Sequence, residues 1–129
     1  TARIDGYGEP ELDPAPVTTI AWRLQHIAVD CLDSYSERAF GATGAFAHDD
    51  GWYLDPAPAV ADAERAWACF RAGAATRSID EWWQVLGPHW GPFAEHSLVD
   101  LVLHAIHEVT HHAAEIALLR DLYAAQRPA

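Results

Sequence analysis

Methionine is absent from all 129 residues, the first position included. We therefore expect a chain whose start was removed or is not shown. Basic residues are scarce: eight Lys plus Arg face 19 Asp plus Glu, for a formal net charge of −11. That excludes nucleic acid as a partner, because binding phosphates takes clustered Lys and Arg. It excludes an anionic membrane surface for the same reason. No apolar run nears the roughly 20 residues of a membrane span and no secretory signal is visible, so we expect a cytoplasmic protein. Only two cysteines occur, Cys31 and Cys69. Each lies in a predicted helix and neither is in a C-x-x-C pattern, so a Cys-based zinc or redox site has no support. We read both as buried thiols. No stretch alternates with period two, which leaves no signal for a sheet.

What is present is apolar and helical. Half of the residues are hydrophobic and six are Trp, which argues against disorder. The length fits one domain over 1–129. Residues 1–17 hold three Pro and two Gly and read as an extended arm. Thr18-Thr19 then predicts a helix N-cap, with the helix running to about Phe40. Ile20, Leu24, Ile27, Cys31 and Tyr35 form one stripe of it; Trp22, His26, Val29 and Asp33 form another. A second helix is expected from Asp55-Pro56 to about Arg77, with Val60, Ala63, Trp67 and Phe70 facing inward. Ser78 to Leu86 predicts a short helix halted by Gly87-Pro88. Ser97 followed by Asp100 resembles a capping box and opens a last helix to about Ala125. The class is all-α, and long helices with intervening loops predict an antiparallel up-down bundle over 18–125.

The last helix carries the chemistry. His104, His107, His111 and His112, half of the chain's histidines, fall within nine positions beside Glu108 and Glu115. Residues four apart are neighbours on a helix, so His107 and His111 can grip one divalent metal ion. A catalytic zinc site takes three protein ligands and an open position, and His26, a histidine on an apolar stripe, is the best third ligand. Glu108 and Glu115 are candidates to hold the second nitrogen of a liganding His; Asp30 and Asp33 pose the same question beside His26. His104 or His112 as a fourth ligand would close the site into a structural one. His107-Glu108-Val109-Thr110-His111 also fits the H-E-x-x-H pattern of zinc metalloproteases, with Glu108 as general base. The extended form fails, with Ala114 at its Gly position and Ala117 at its third His. Trp52, Tyr53, Trp82, Trp83 and Trp90 could line an apolar pocket, though packing at the helix ends is the simpler role for them.

Two segments resemble a known family, the DinB-like/YfiT-like metal-binding four-helix bundles. One is 18–28, TTIAWRLQHIA, which is similar to the family's early helix with a single metal-binding His. The other is 103–122, LHAIHEVTHHAAEIALLRDL, which looks like the final helix with its H-x-x-x-H pair. The resemblance implies a three-His site of His26, His107 and His111 holding zinc or nickel. It implies a metal-dependent enzyme acting on a small-molecule substrate, either a transferase using a low-molecular-weight thiol such as mycothiol or bacillithiol, or a hydrolase. The alternative is a non-catalytic metal-binding or stress-related module. The family has a helix before the one carrying the first His. Its absence here predicts either a missing first helix or a partner subunit, as in a homodimer.

Overall fold

The computed structural model describes residues 18–42, 53 and 55–126. The arm expected over 1–17, and with it the question of a first helix, lies outside the described residues, as do Trp52 and His48.

The first helix begins where Thr19 accepts a hydrogen bond from the Trp22 amide at 3.1 Å, which satisfies one of the orphan donors of a helix start. It runs without a break to Phe40, but not as one regular spiral. An α segment (α1, Ile20–Gln25) leads into π-helical turns over His26–Asp33 and returns to α in Ser34–Phe40 (α2). Gly41 ends it at φ 66°, a left-handed conformation that glycine takes without a Cβ clash. The π segment was not expected. It widens the turn that starts at His26, and such insertions are common at functional sites.

Asp55 caps α3 (Pro56–Ala75) by accepting from the Ala57 amide at 3.0 Å, and Pro56 stands at its first position, where a missing N–H costs nothing. The inward face of α3 differs from the expected one. Ala59, Asp62, Ala66, Phe70 and Ala74 are buried, whereas Val60 is exposed and Ala63 and Trp67 are half-buried. The small residues let α3 approach the first helix closely. At Gly73 the Phe40 ring occupies the space a Cβ would need. The buried Asp62 carboxylate takes the Tyr53 hydroxyl at 2.6 Å and pairs with Arg65.

Ser78 and Glu81 form a capping box around α4 (Ile79–Trp82). A 3-10 segment over Pro88–Phe93 follows, and its Trp90 is buried in the core. The only β-type pairing among the described residues is an isolated bridge between Val85 and Ser97. Ser97 and Asp100 then form the capping box foreseen for α5 (Leu98–Ala125, 28 residues). The described chain is thus all-α.

The first helix lies in the middle, with α3 packed on its π segment and α5 on α1 and the same π segment. Ile27, Ala28, Cys31, Leu32, Phe70, Leu101 and Ala105 are among the residues that fill the core between them. Beyond His112 most of α5 is exposed, and so are Leu103, Ile106, Leu118 and Leu122. No helix among the described residues is long and apolar enough to cross a membrane. Cys31 and Cys69 are free; Cys31 is buried, as expected, and Cys69 half-buried.

Candidate metal centre

The site lies where the start of the π segment meets the middle of α5. The stripe Leu98, Leu101, Ala105 on α5 is buried against the first helix. Continued at three- and four-residue steps, it reaches Glu108 and then His112. The side chains of Glu108 and His112 are 16% and 10% exposed, whereas that of His107 is 73% exposed. His111 is intermediate, at 37%. The helix therefore turns Glu108 and His112 toward His26, and turns His107 outward.

The distances follow that register. His26 Nε2 lies 3.2 Å from Glu108 Oε2, and His112 Nε2 lies 3.5 Å from the same oxygen. One ligand atom from each of His26, Glu108 and His112 falls within 4.8 Å of the others. The set expected from the sequence, His26 with His107 and His111, is brought together only in part. His26 meets Glu108 and His112, while His107 and His111 form a separate group with Glu108. Glu108 was read as a supporting carboxylate or a general base. Here its carboxylate stands between the imidazoles, within reach of both.

Each imidazole of the inner group is held by a second partner. His112 Nδ1 donates to Glu115 Oε2 at 2.7 Å, and Glu115 in turn accepts from Arg23 Nε at 2.7 Å. Arg23 is buried although charged, and this pairing is what makes its burial tolerable. His26 Nδ1 lies 3.3 Å from Asp30 Oδ2. With Nδ1 of both rings engaged by carboxylates, Nε2 of each ring faces Glu108. Trp22 stacks on His26 with ring centres 4.9 Å apart and presents its edge to His112 at 5.9 Å. The two rings are thereby locked at right angles, their centres 5.0 Å apart.

The electrostatics agree with this arrangement. Burial, with His111 and His26 nearby, holds His112 below the ordinary imidazole value despite the bond to Glu115. The shift favours the neutral imidazole, the form a metal requires. Burial raises the Glu108 pKa, but the His26 bond and the neighbouring histidines outweigh it, so the carboxyl stays below its usual range. Arg23, opposed in part by desolvation and helped by His112, holds Glu115 down to about 2. Cys31 is the opposite case: burial, then the charges of Glu108 and Asp30, push its thiol up to about 12. It is a packing residue, not a nucleophile.

Three acceptor atoms converging in a half-buried site, each imidazole backed by a carboxylate, fit a divalent cation. Two His and one Glu are a common zinc donor set, and the backing carboxylates fix ring orientation and tautomer. One turn away on α5, His104 Nε2 lies 3.9 Å from Glu108 Oε1 and its ring faces Tyr35. Both residues line a cleft of about 340 Å³ with Leu86, Trp90, Phe93 and Arg38. Of the aromatics proposed for such a pocket, Trp90 contributes, while Trp83 is exposed to solvent.

No curated protein and no solved structure matches the chain. The model of one protein family, the DinB superfamily, matches residues 3–116. That span includes His26, Glu108, His112 and Glu115. The chain belongs to the DinB superfamily.

Proposed function

We propose that the protein binds a divalent metal ion, zinc or nickel, through His26, Glu108 and His112, and is a metal-dependent enzyme. The observation that carries this reading is the convergence of the three donor atoms, with Asp30 and Glu115 holding the far side of each ring. A divalent cation at this position supplies a Lewis acid that favours the deprotonated form of a small thiol or of water. The residues do the rest. Arg23 fixes Glu115, Glu115 fixes His112, and Trp22 prevents His26 from turning. The adjoining cleft is lined by Tyr35, Leu86, Trp90 and Phe93 with Arg38 at its wall, which suits a small substrate with an apolar body. This supports the thiol-dependent transferase or hydrolase reading over a non-catalytic module, for which a closed site without a neighbouring cleft would serve.

Elemental analysis of protein purified without chelator tests it. At least one equivalent of zinc or nickel, lost in both His26→Ala and His112→Ala, is the expected result. Thiol-transfer and hydrolysis assays on the loaded protein then separate the two chemistries. Protein that takes up no metal even on reconstitution would sink the reading. A loaded protein inert in every assay would leave a binding module.

A further inference from the structure

The reading above leaves His107 and His111 unused. His107 is exposed and His111 half-buried on α5, so core packing does not explain why they stand beside a carboxylate that already has two imidazole neighbours. The two oxygens of Glu108 divide those neighbours. Oε2 faces His26 and His112, at 3.2 and 3.5 Å. Oε1 faces His107 Nδ1 at 4.0 Å, His111 Nδ1 at 3.9 Å and His104 Nε2 at 3.9 Å. Five imidazoles thus surround one carboxylate, two on one oxygen and three on the other.

We propose that His107, Glu108 and His111 form a second divalent-metal site, and that Glu108 bridges it to the inner site, one oxygen to each. The bridging rests on the inner-site reading of the preceding section. Ligand atoms of the outer group also lie within 4.8 Å of one another. The rings of His107 and His111 are 5.1 Å apart, close enough to share one ion. His111 Nδ1 lies 3.2 Å from the His107 carbonyl and 3.9 Å from Glu108 Oε1, which sets the ring's orientation beside Glu108. A carboxylate can bind two metals through its two oxygens because each carries its own lone pairs. Imidazole and carboxylate together select late first-row dications, and the order of affinity runs through nickel to copper. The outer site is the weaker of the two. Its His107 is exposed, and among the described residues no hydrogen bond or ion pair to a carboxylate other than Glu108 holds its rings as Asp30 and Glu115 hold the inner pair.

Copper(II) titration of chelator-stripped protein tests this, with bound metal counted after gel filtration and the spin state read by electron paramagnetic resonance. We expect two equivalents, the second bound about tenfold or more weakly for want of backing carboxylates. At two equivalents a half-field signal from a coupled copper pair should appear. His107→Ala/His111→Ala should bind one equivalent, without coupling and with the tighter affinity kept; neither side chain is buried in the core, so the fold should be kept. Glu108→Gln should abolish the coupling. A single equivalent lost with His112→Ala but untouched by His107→Ala/His111→Ala would overturn the second site and keep the first. A single equivalent lost only with His107→Ala/His111→Ala would overturn both the bridge and the inner-site reading. Two equivalents with no coupled signal would overturn the bridge.

Discussion

Two i,i+4 pairs on α5, Glu108 with His112 and His107 with His111, are offset by one residue and have different surroundings. His112 is nearly buried, braced by Glu115 and Arg23, and faces His26 across the packing of α5 on the first helix. His107 faces solvent, and the half-buried His111 touches groups of its own helix: the His107 carbonyl, the Glu108 carboxylate and the His112 ring, 3.8 Å from its own. A shift of about 100° around the helix separates the two pairs. What distinguishes the inner group is the second helix it meets and the carboxylates behind its rings. On the proposed reading, these details set how tightly a metal is held.

The largest way to break the comparison is to remove an inner ligand. His112→Ala should weaken zinc binding by more than about 100-fold, since losing a ligand costs more than losing the 10–100-fold support of a backing group. His107→Ala should leave that tight binding in place. Competition with a chromophoric chelator measures both. The next effect is smaller. Glu115→Gln keeps the shape but removes the charge that fixes His112, and zinc affinity should fall about 10–100-fold. No equivalent carboxylate supports His107, so the outer pair offers no matching variant.

A change remote from both groups sharpens the contrast between site and scaffold. Gly73→Ala drives a methyl into the Phe40 ring. Overpacking costs about 1–3 kcal/mol, and alanine's better helix propensity returns about 0.5–1. The net loss, about 1 kcal/mol in denaturant unfolding, should leave metal affinity unchanged. The smallest effect is at the start of α5. Hydrogen bonds from Ser97 hold the Asp100 carboxyl below its ordinary value. A carboxyl whose folded pKa is depressed contributes stability above its unfolded pKa, and that contribution is lost as pH falls through the folded value. Ser97→Ala should lower the melting temperature by a few degrees at neutral pH. The difference from the parent should shrink on acidification, as thermal melts across the acid range would show.

The helices were legible because their ends are written in local chemistry. Thr19, Asp55, Ser78 and Ser97 all cap as their residue types predict. His26 was legible as a histidine on an apolar stripe. The packed face of α5 is not legible in the sequence for a physical reason: Leu103, Ile106, Leu118 and Leu122 make the helix apolar on its exposed sides as well, so apolarity alone does not mark the packed face. The signal that does mark it is the stripe Leu98, Leu101, Ala105, which leads to Glu108 and His112. The i,i+4 histidine pattern of the sequence marks His107 and His111, on the adjoining and more exposed face. On α3 the same ambiguity arose because alanines line both sides, and the packed face follows Ala59, Asp62 and Ala66 and not Val60. The π-helical turns at His26 break the 3.6-residue period, and no residue type in that segment announces them.

The central claim is that the tight metal sits between His26, Glu108 and His112. An anomalous difference map at the zinc edge, from crystals of protein carrying one equivalent of zinc, tests it most directly. The account predicts one dominant peak within bonding distance of His26, Glu108 and His112. A dominant peak on His107 and His111 with none beside His26, or no bound zinc at all, would contradict it.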